Sequence, residues 1–71
     1  MRIRVYALQQ LAETKNWSIP YLAERLGVNY SYLFRVLRGE KSGGSKLLSG
    51  IYHLCQEEGL AMDDYISWDE N

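Results

Sequence analysis

The chain has 71 residues, 46% hydrophobic and 24% charged, which is room for one domain with a modest core and excludes wholesale disorder. A single cysteine, Cys55, excludes an internal disulfide and any multi-cysteine metal site, and no apolar run approaches the ~18 residues of a membrane span. The net charge of −1 hides a division: all eight basic residues lie in positions 2–46, leaving that half at +5, whereas residues 47–71 carry six acids and no base. Such polarity suggests one face for an anionic partner and another turned away from it.

Helical periodicity runs through the chain. Residues 3–15 place Ala7, Leu8, Leu11 and Ala12 on one stripe. Asn16 follows, a residue that tolerates the left-handed conformation ending many helices. Ser18 is a good N-cap for a second helix, with Pro20 in its first turn and Leu22, Ala23 and Leu26 as its buried stripe. Gly27 stops it. Asn29 caps a third helix running to about position 38, with Leu33, Val36 and Leu37 inward and Gly39 at its end. A loop over 40–44 leads to a fourth helix carrying Leu47, Leu48, Ile51, Leu54 and Cys55, which Gly59 stops. Asp63 and Asp64 suit the first turn of a short fifth helix, where the dipole favours acids, with Tyr65, Ile66 and Trp68 as its apolar contacts. No stretch reads as a strand bounded by turn residues. The expectation is an all-α, compact five-helix domain spanning 1–71.

The informative segment is 18–41. Its two helices are joined by about three residues around Gly27, too few to lay them antiparallel, so they must cross steeply. Ala23 sits near the crossing, where a small side chain is required. Val28 and Leu33 plug the angle between the helices.

This segment resembles the helix-turn-helix of the Xre/Cro/phage-repressor family. The matching residues are Ser18, Leu22, Ala23, Leu26, Gly27, Val28, Ser31, Leu33, Arg35, Val36, Leu37 and Gly39. The likeness extends to Leu8 and Leu11 in the first helix, to Leu47, Leu48 and Ile51 in the fourth, and to the run from Gly59 to Ile66. Three positions depart from the family pattern. Ala12 and Leu37 stand where many members pair an Arg with a Glu, the stretch from Ile51 to Gly59 is about one turn longer, and Ala61 replaces a Ser or Thr cap.

The resemblance implies a lambda-repressor-like fold and a transcriptional regulator, a repressor in particular, whose third helix enters the major groove of double-stranded DNA. It implies base contacts from Ser31, Phe34 and Arg35, with Arg35 suited to bidentate contact with guanine and Phe34 to a thymine methyl. Tyr30, at the N-terminal edge of this set, would reach base or phosphate. Arg38 and Lys41 would meet phosphates, as would backbone amides near Ser18 and along Ser42, Gly43, Gly44 and Ser45. One helix reads few bases, so a homodimer is implied, with Tyr65, Ile66 and Trp68 of the fifth helix as its surface.

The other chemistries are weaker. Phe34 on a solvent face also fits a protein-interaction module, such as an antitoxin-like or antirepressor partner. Tyr32 reads as packing, His53 as a surface residue, and Cys55 as core. The Gly43-Gly44 pair lacks the Lys-Ser/Thr of a phosphate loop. The acids at 57–58 and 63–64 read as solvated. No enzyme, cofactor, small-molecule ligand or membrane contact is expected. The lone cysteine and the N-terminal residues, which lack the apolar core of a signal peptide, point to a cytoplasmic, nucleoid-associated protein.

Overall fold

The computed structural model describes residues 2–68. Four α-helices carry the fold: α1 (Val5–Lys15), α2 (Ile19–Leu26), α3 (Tyr30–Leu37) and α4 (Ser45–Glu58). The fifth helix of the sequence reading is absent among the described residues. In its place a 3-10 turn, Met62–Asp64, leads into a strand, β2 (Ile66–Ser67), which pairs antiparallel with β1 (Arg2–Ile3). The ladder sets Arg2 opposite Ser67 and Ile3 opposite Ile66, and the Arg4 amide donates to the Tyr65 carbonyl at 2.8 Å. The helix expected from residue 3 therefore begins at Val5. Two-residue strands are too short for alternation to register against a neighbouring helical stripe. Their pairing also depends on contacts between segments far apart in sequence.

The helix starts follow local chemistry. The Ser18 hydroxyl accepts from the Tyr21 amide at 3.2 Å, and the Asn29 side-chain oxygen accepts from the Ser31 amide at 2.8 Å. All four helices close the same way. Asn16, Gly27, Gly39 and Gly59 take positive φ, and the next residue donates its amide back five positions: Trp17 to Ala12, Val28 to Ala23, Glu40 to Arg35 and Leu60 to Cys55. Three of these following residues are apolar and pack on the core, the contact that usually accompanies this closure. At α3 the residue is Glu40, which stays exposed.

At Gly27 (φ 72°) a β-carbon would meet nothing within 4 Å, so its cost is backbone strain alone. Gly27→Ala is expected to lower stability by about 1–2 kcal/mol, or ~4–15 °C in Tm, measured by thermal denaturation.

The core is mostly aliphatic, with Tyr65 its one aromatic member among the described residues. Leu8, Leu22, Leu33, Val36, Leu47, Ile51, Leu54 and Ile66 are essentially sealed from solvent. α2 lies at its centre, packed on both α3 and α4. The closest approach is at Gly50, where a β-carbon would overlap the Leu26 carbonyl oxygen and lie 3.0 Å from its carbon. α1 packs on α3, with Ala12 buried and Leu37 half-buried. Cys55 is buried, and desolvation raises its thiol above the ordinary range.

Candidate nucleic-acid interface

α2 and α3 are joined by Gly27, Val28 and Asn29 alone. Val28 is buried in the corner they make, and Leu33 and Val36 anchor α3 from beneath. With about 100° between successive residues, this anchoring turns Tyr30, Ser31, Phe34, Arg35 and Arg38 outward. All five are exposed.

The outward face is organised. The Tyr30 and Phe34 rings lie 5.9 Å apart at 32°, and the Arg38 guanidinium sits 5.4 Å from the Phe34 centroid. Arg38 also pairs with Glu40 at 3.1 Å. Arg35 enters no ion pair among the described residues, so its five donors face solvent.

The loop after α3 folds back on it. The Tyr32 hydroxyl accepts from the Gly44 amide at 2.9 Å, and the Lys41 ammonium lies 5.8 Å from the Tyr32 ring. Tyr32 is half-buried, bracing the loop against α3. These contacts give Gly43 and Gly44 a role other than close approach of backbone to phosphate. A β-carbon on Gly43 would overlap the tip of the Ile3 side chain and lie 3.2 Å from a Leu47 methyl, so Gly43 packs between β1 and α4. The Gly44 amide is already engaged. The free donors lie one step further on. Gly44 caps α4 without a side chain, leaving the amides of Ser45, Lys46 and Leu47 without the i−4 acceptors of a helix interior. The α4 and α3 N-termini line one groove of about 410 Å³ with Val28, Asn29, Tyr32, Gly44, Ser45 and Lys46.

Sequence reasoning missed Lys46. A cation in the first turn of a helix opposes the macrodipole, and that local rule-breaking was the available signal. Ser18, Lys41, Ser42 and Ser45 are all exposed. The dimer candidates fare differently. Tyr65 and Ile66 are 8% and 1% exposed and belong to the core of a single chain, so they cannot form a surface for a second one. Burial also raises the Tyr65 phenol. Trp68 is 54% exposed, its indole N–H donating to Asp63 at 3.0 Å.

Charge is distributed less simply than the two halves of the sequence imply. Lys15 and Arg25, from the last turns of α1 and α2, reach Glu58 at 3.1 and 2.8 Å, and Arg25 also reaches Glu57 at 3.1 Å. These acids crowd the negative end of the α4 dipole, and the two cations relieve it. Arg25 lies over Trp17, 4.8 Å from the ring centroid. Two of the eight cations thus belong to this clamp, and the basic surface near α3 reduces to Arg35, Arg38, Lys41 and Lys46. Of the acids in the other half, Asp69 and Glu70 lie outside the described residues.

The Arg25 and Lys15 hydrogen bonds hold the Glu58 carboxyl below its ordinary range, and the Glu58 bond raises Arg25. A carboxyl depressed in the folded state contributes stability above the unfolded pKa of ~4.3, and that contribution is lost as pH falls through the folded value. Glu58→Gln is therefore expected to lower Tm at neutral pH and to flatten its decline on acidification. Equal slopes below about pH 5 for both proteins would contradict the clamp.

Among the described residues no helix is long and apolar enough to cross a membrane, and no cluster of His, Cys, Asp and Glu could hold a metal ion. No family model, curated protein or solved structure matches the chain.

Proposed function

We propose that the chain is a sequence-specific binder of double-stranded DNA, a cytoplasmic transcriptional repressor in which α2, its three-residue turn and α3 act as a helix-turn-helix. The observation that carries this reading is the exposed face of α3. Ser31, Phe34 and Arg35, which enters no ion pair among the described residues, project together from a helix held by two buried residues. A rigid helix with such a face fits the major groove, about 12 Å wide. Arg35 reads guanine, Ser31 and Phe34 take neighbouring base edges, and Tyr30 borders them. Arg38, Lys41 and Lys46 meet phosphates, helped by the uncapped amides at the start of α4. The resemblance to phage-repressor helix-turn-helix segments supports the same assignment.

A homodimer on a two-fold symmetric operator completes the proposal, since one helix specifies too few base pairs for useful discrimination. With Tyr65 and Ile66 in the core, Trp68 remains as the candidate surface residue.

Selection of bound duplexes from a random library at moderate salt tests the reading. An enriched motif is expected, a palindrome with half-sites about one helical turn apart for a dimer, or a single half-site for a monomer. Affinity is expected to fall with salt at a log–log slope of about −3 per monomer, from the three phosphate-binding cations. Arg35→Ala is expected to cost ~1–3 kcal/mol and to relax selectivity at one base pair. No enrichment and a slope near zero would sink the proposal.

The exposed Tyr30–Phe34 pair favours one alternative, a protein-interaction module. That module retards no duplex, and its partner binding survives Arg35→Ala.

A further inference from the structure

We propose that Tyr30 and Phe34 together read thymine methyl groups, so that each half-site contains two thymines in adjacent or next-adjacent base pairs beside the guanine taken by Arg35. The inference rests on the DNA-binding reading and specifies what its site recognises.

Six aromatic side chains are exposed among the described residues, and two of them, Tyr30 and Phe34, stand one helical turn apart on the outer face of α3, 45% and 40% exposed. Their 5.9 Å separation falls between one and two base-pair rises of ~3.4 Å. The major-groove edge of thymine is the one base edge that carries a methyl group, and an apolar ring is its natural complement. The surroundings favour nucleic acid over an apolar protein surface. Ser31, Arg35 and Arg38 share the exposed face of α3 with the rings, and Glu40 is tied to Arg38. The Arg38 guanidinium, paired with Glu40 at 3.1 Å, lies 5.4 Å from the Phe34 ring centroid.

The experiment uses the whole chain and the duplex enriched from the random library. Each thymidine is replaced in turn by deoxyuridine, which deletes only the methyl. Two positions are expected to lose affinity about fourfold each, the effect of one buried methyl. In Phe34→Ala one of these losses disappears, and in Tyr30→Ala the other. Phe34→Leu, which keeps an apolar tip, retains part of the discrimination. Both rings lie outside the core, so far-ultraviolet circular dichroism of the variants should match the parent.

A duplex insensitive to deoxyuridine at every thymine overturns the inference and leaves DNA binding intact. Equal losses in the parent and both alanine variants also overturn it, because the methyls then act through DNA shape. Failure to enrich any duplex removes the DNA-binding reading, and this inference with it.

Discussion

Gly50→Ala is expected to lower Tm by about 15 °C or more, or to abolish the cooperative transition. Helix propensity alone argues the reverse, since alanine in a helix interior is favoured over glycine by ~1 kcal/mol. The structure decides the sign. The new β-carbon would overlap the Leu26 carbonyl oxygen, with the Leu26 carbon at 3.0 Å and its α-carbon at 3.3 Å. All three are backbone atoms, so no side chain can swing away. α4 must lift from α2 and open the layer containing Leu22, Leu47, Ile51 and Leu54. Overpacking costs about 1–3 kcal/mol where side chains adjust, and a backbone clash belongs at or above the top of that range. A domain of this size has a total margin of ~4–10 kcal/mol, and each kcal/mol is worth roughly 4–8 °C. Thermal and urea denaturation would read the effect. A Gly50→Ala protein more stable than the parent would mean that α2 and α4 cross less closely than described.

Ile66→Ala is expected to cost about 2–4 kcal/mol at every protein concentration. Ile66 is 1% exposed on β2, opposite Ile3, and its truncation removes three carbons from a sealed site. The independence from concentration is the informative part. A residue at a dimer surface would show a loss that shrinks on dilution, because association contributes to stability only where the chain is concentrated enough to associate. Denaturation at two concentrations a hundredfold apart separates the cases. A loss seen only in the concentrated sample would return Ile66 to an interface. The same experiment with Trp68→Ala addresses the residue that is exposed.

The two candidate surfaces have different sources of rigidity. α3 is fixed from below by Leu33 and Val36 and at its start by Asn29, so its outward residues are displayed on a firm support. The groove beside it depends on Tyr32, whose hydroxyl holds the Gly44 amide at 2.9 Å. Tyr32→Phe is expected to loosen that loop and, on the proposed DNA-binding reading, to weaken phosphate contact at Lys46 while leaving the base preference proposed for Arg35 unchanged.

Much of this architecture was legible in the residues themselves. Ser18 and Asn29 are caps because their short side chains reach amides two or three residues on, a local event. Gly27 and Gly59 end helices because a left-handed residue closes them, also a local event. The outward placement of Ser31, Phe34 and Arg35 followed from helical period once Leu33 and Val36 were assigned inward.

What remained hidden depends on contacts between distant segments. Ile66 and Tyr65 form an apolar run that fits either a helix face or a buried strand, and only the pairing with Ile3 and the Arg4–Tyr65 hydrogen bond decides. Gly43 and Gly44 read as backbone open to a ligand, until Ile3 and Tyr32 occupy the space and the donor. Lys15 and Arg25 count toward a basic half in one dimension, whereas in three they are bound to Glu57 and Glu58. The sequence by itself determined four helices, the residues that close them and the face of α3, because hydrogen bonds and side-chain period act over a few residues. The tertiary structure alone decided the strand pair, the required glycine at position 50 and which cations remain available, because each is set by what a distant segment places within a few ångströms.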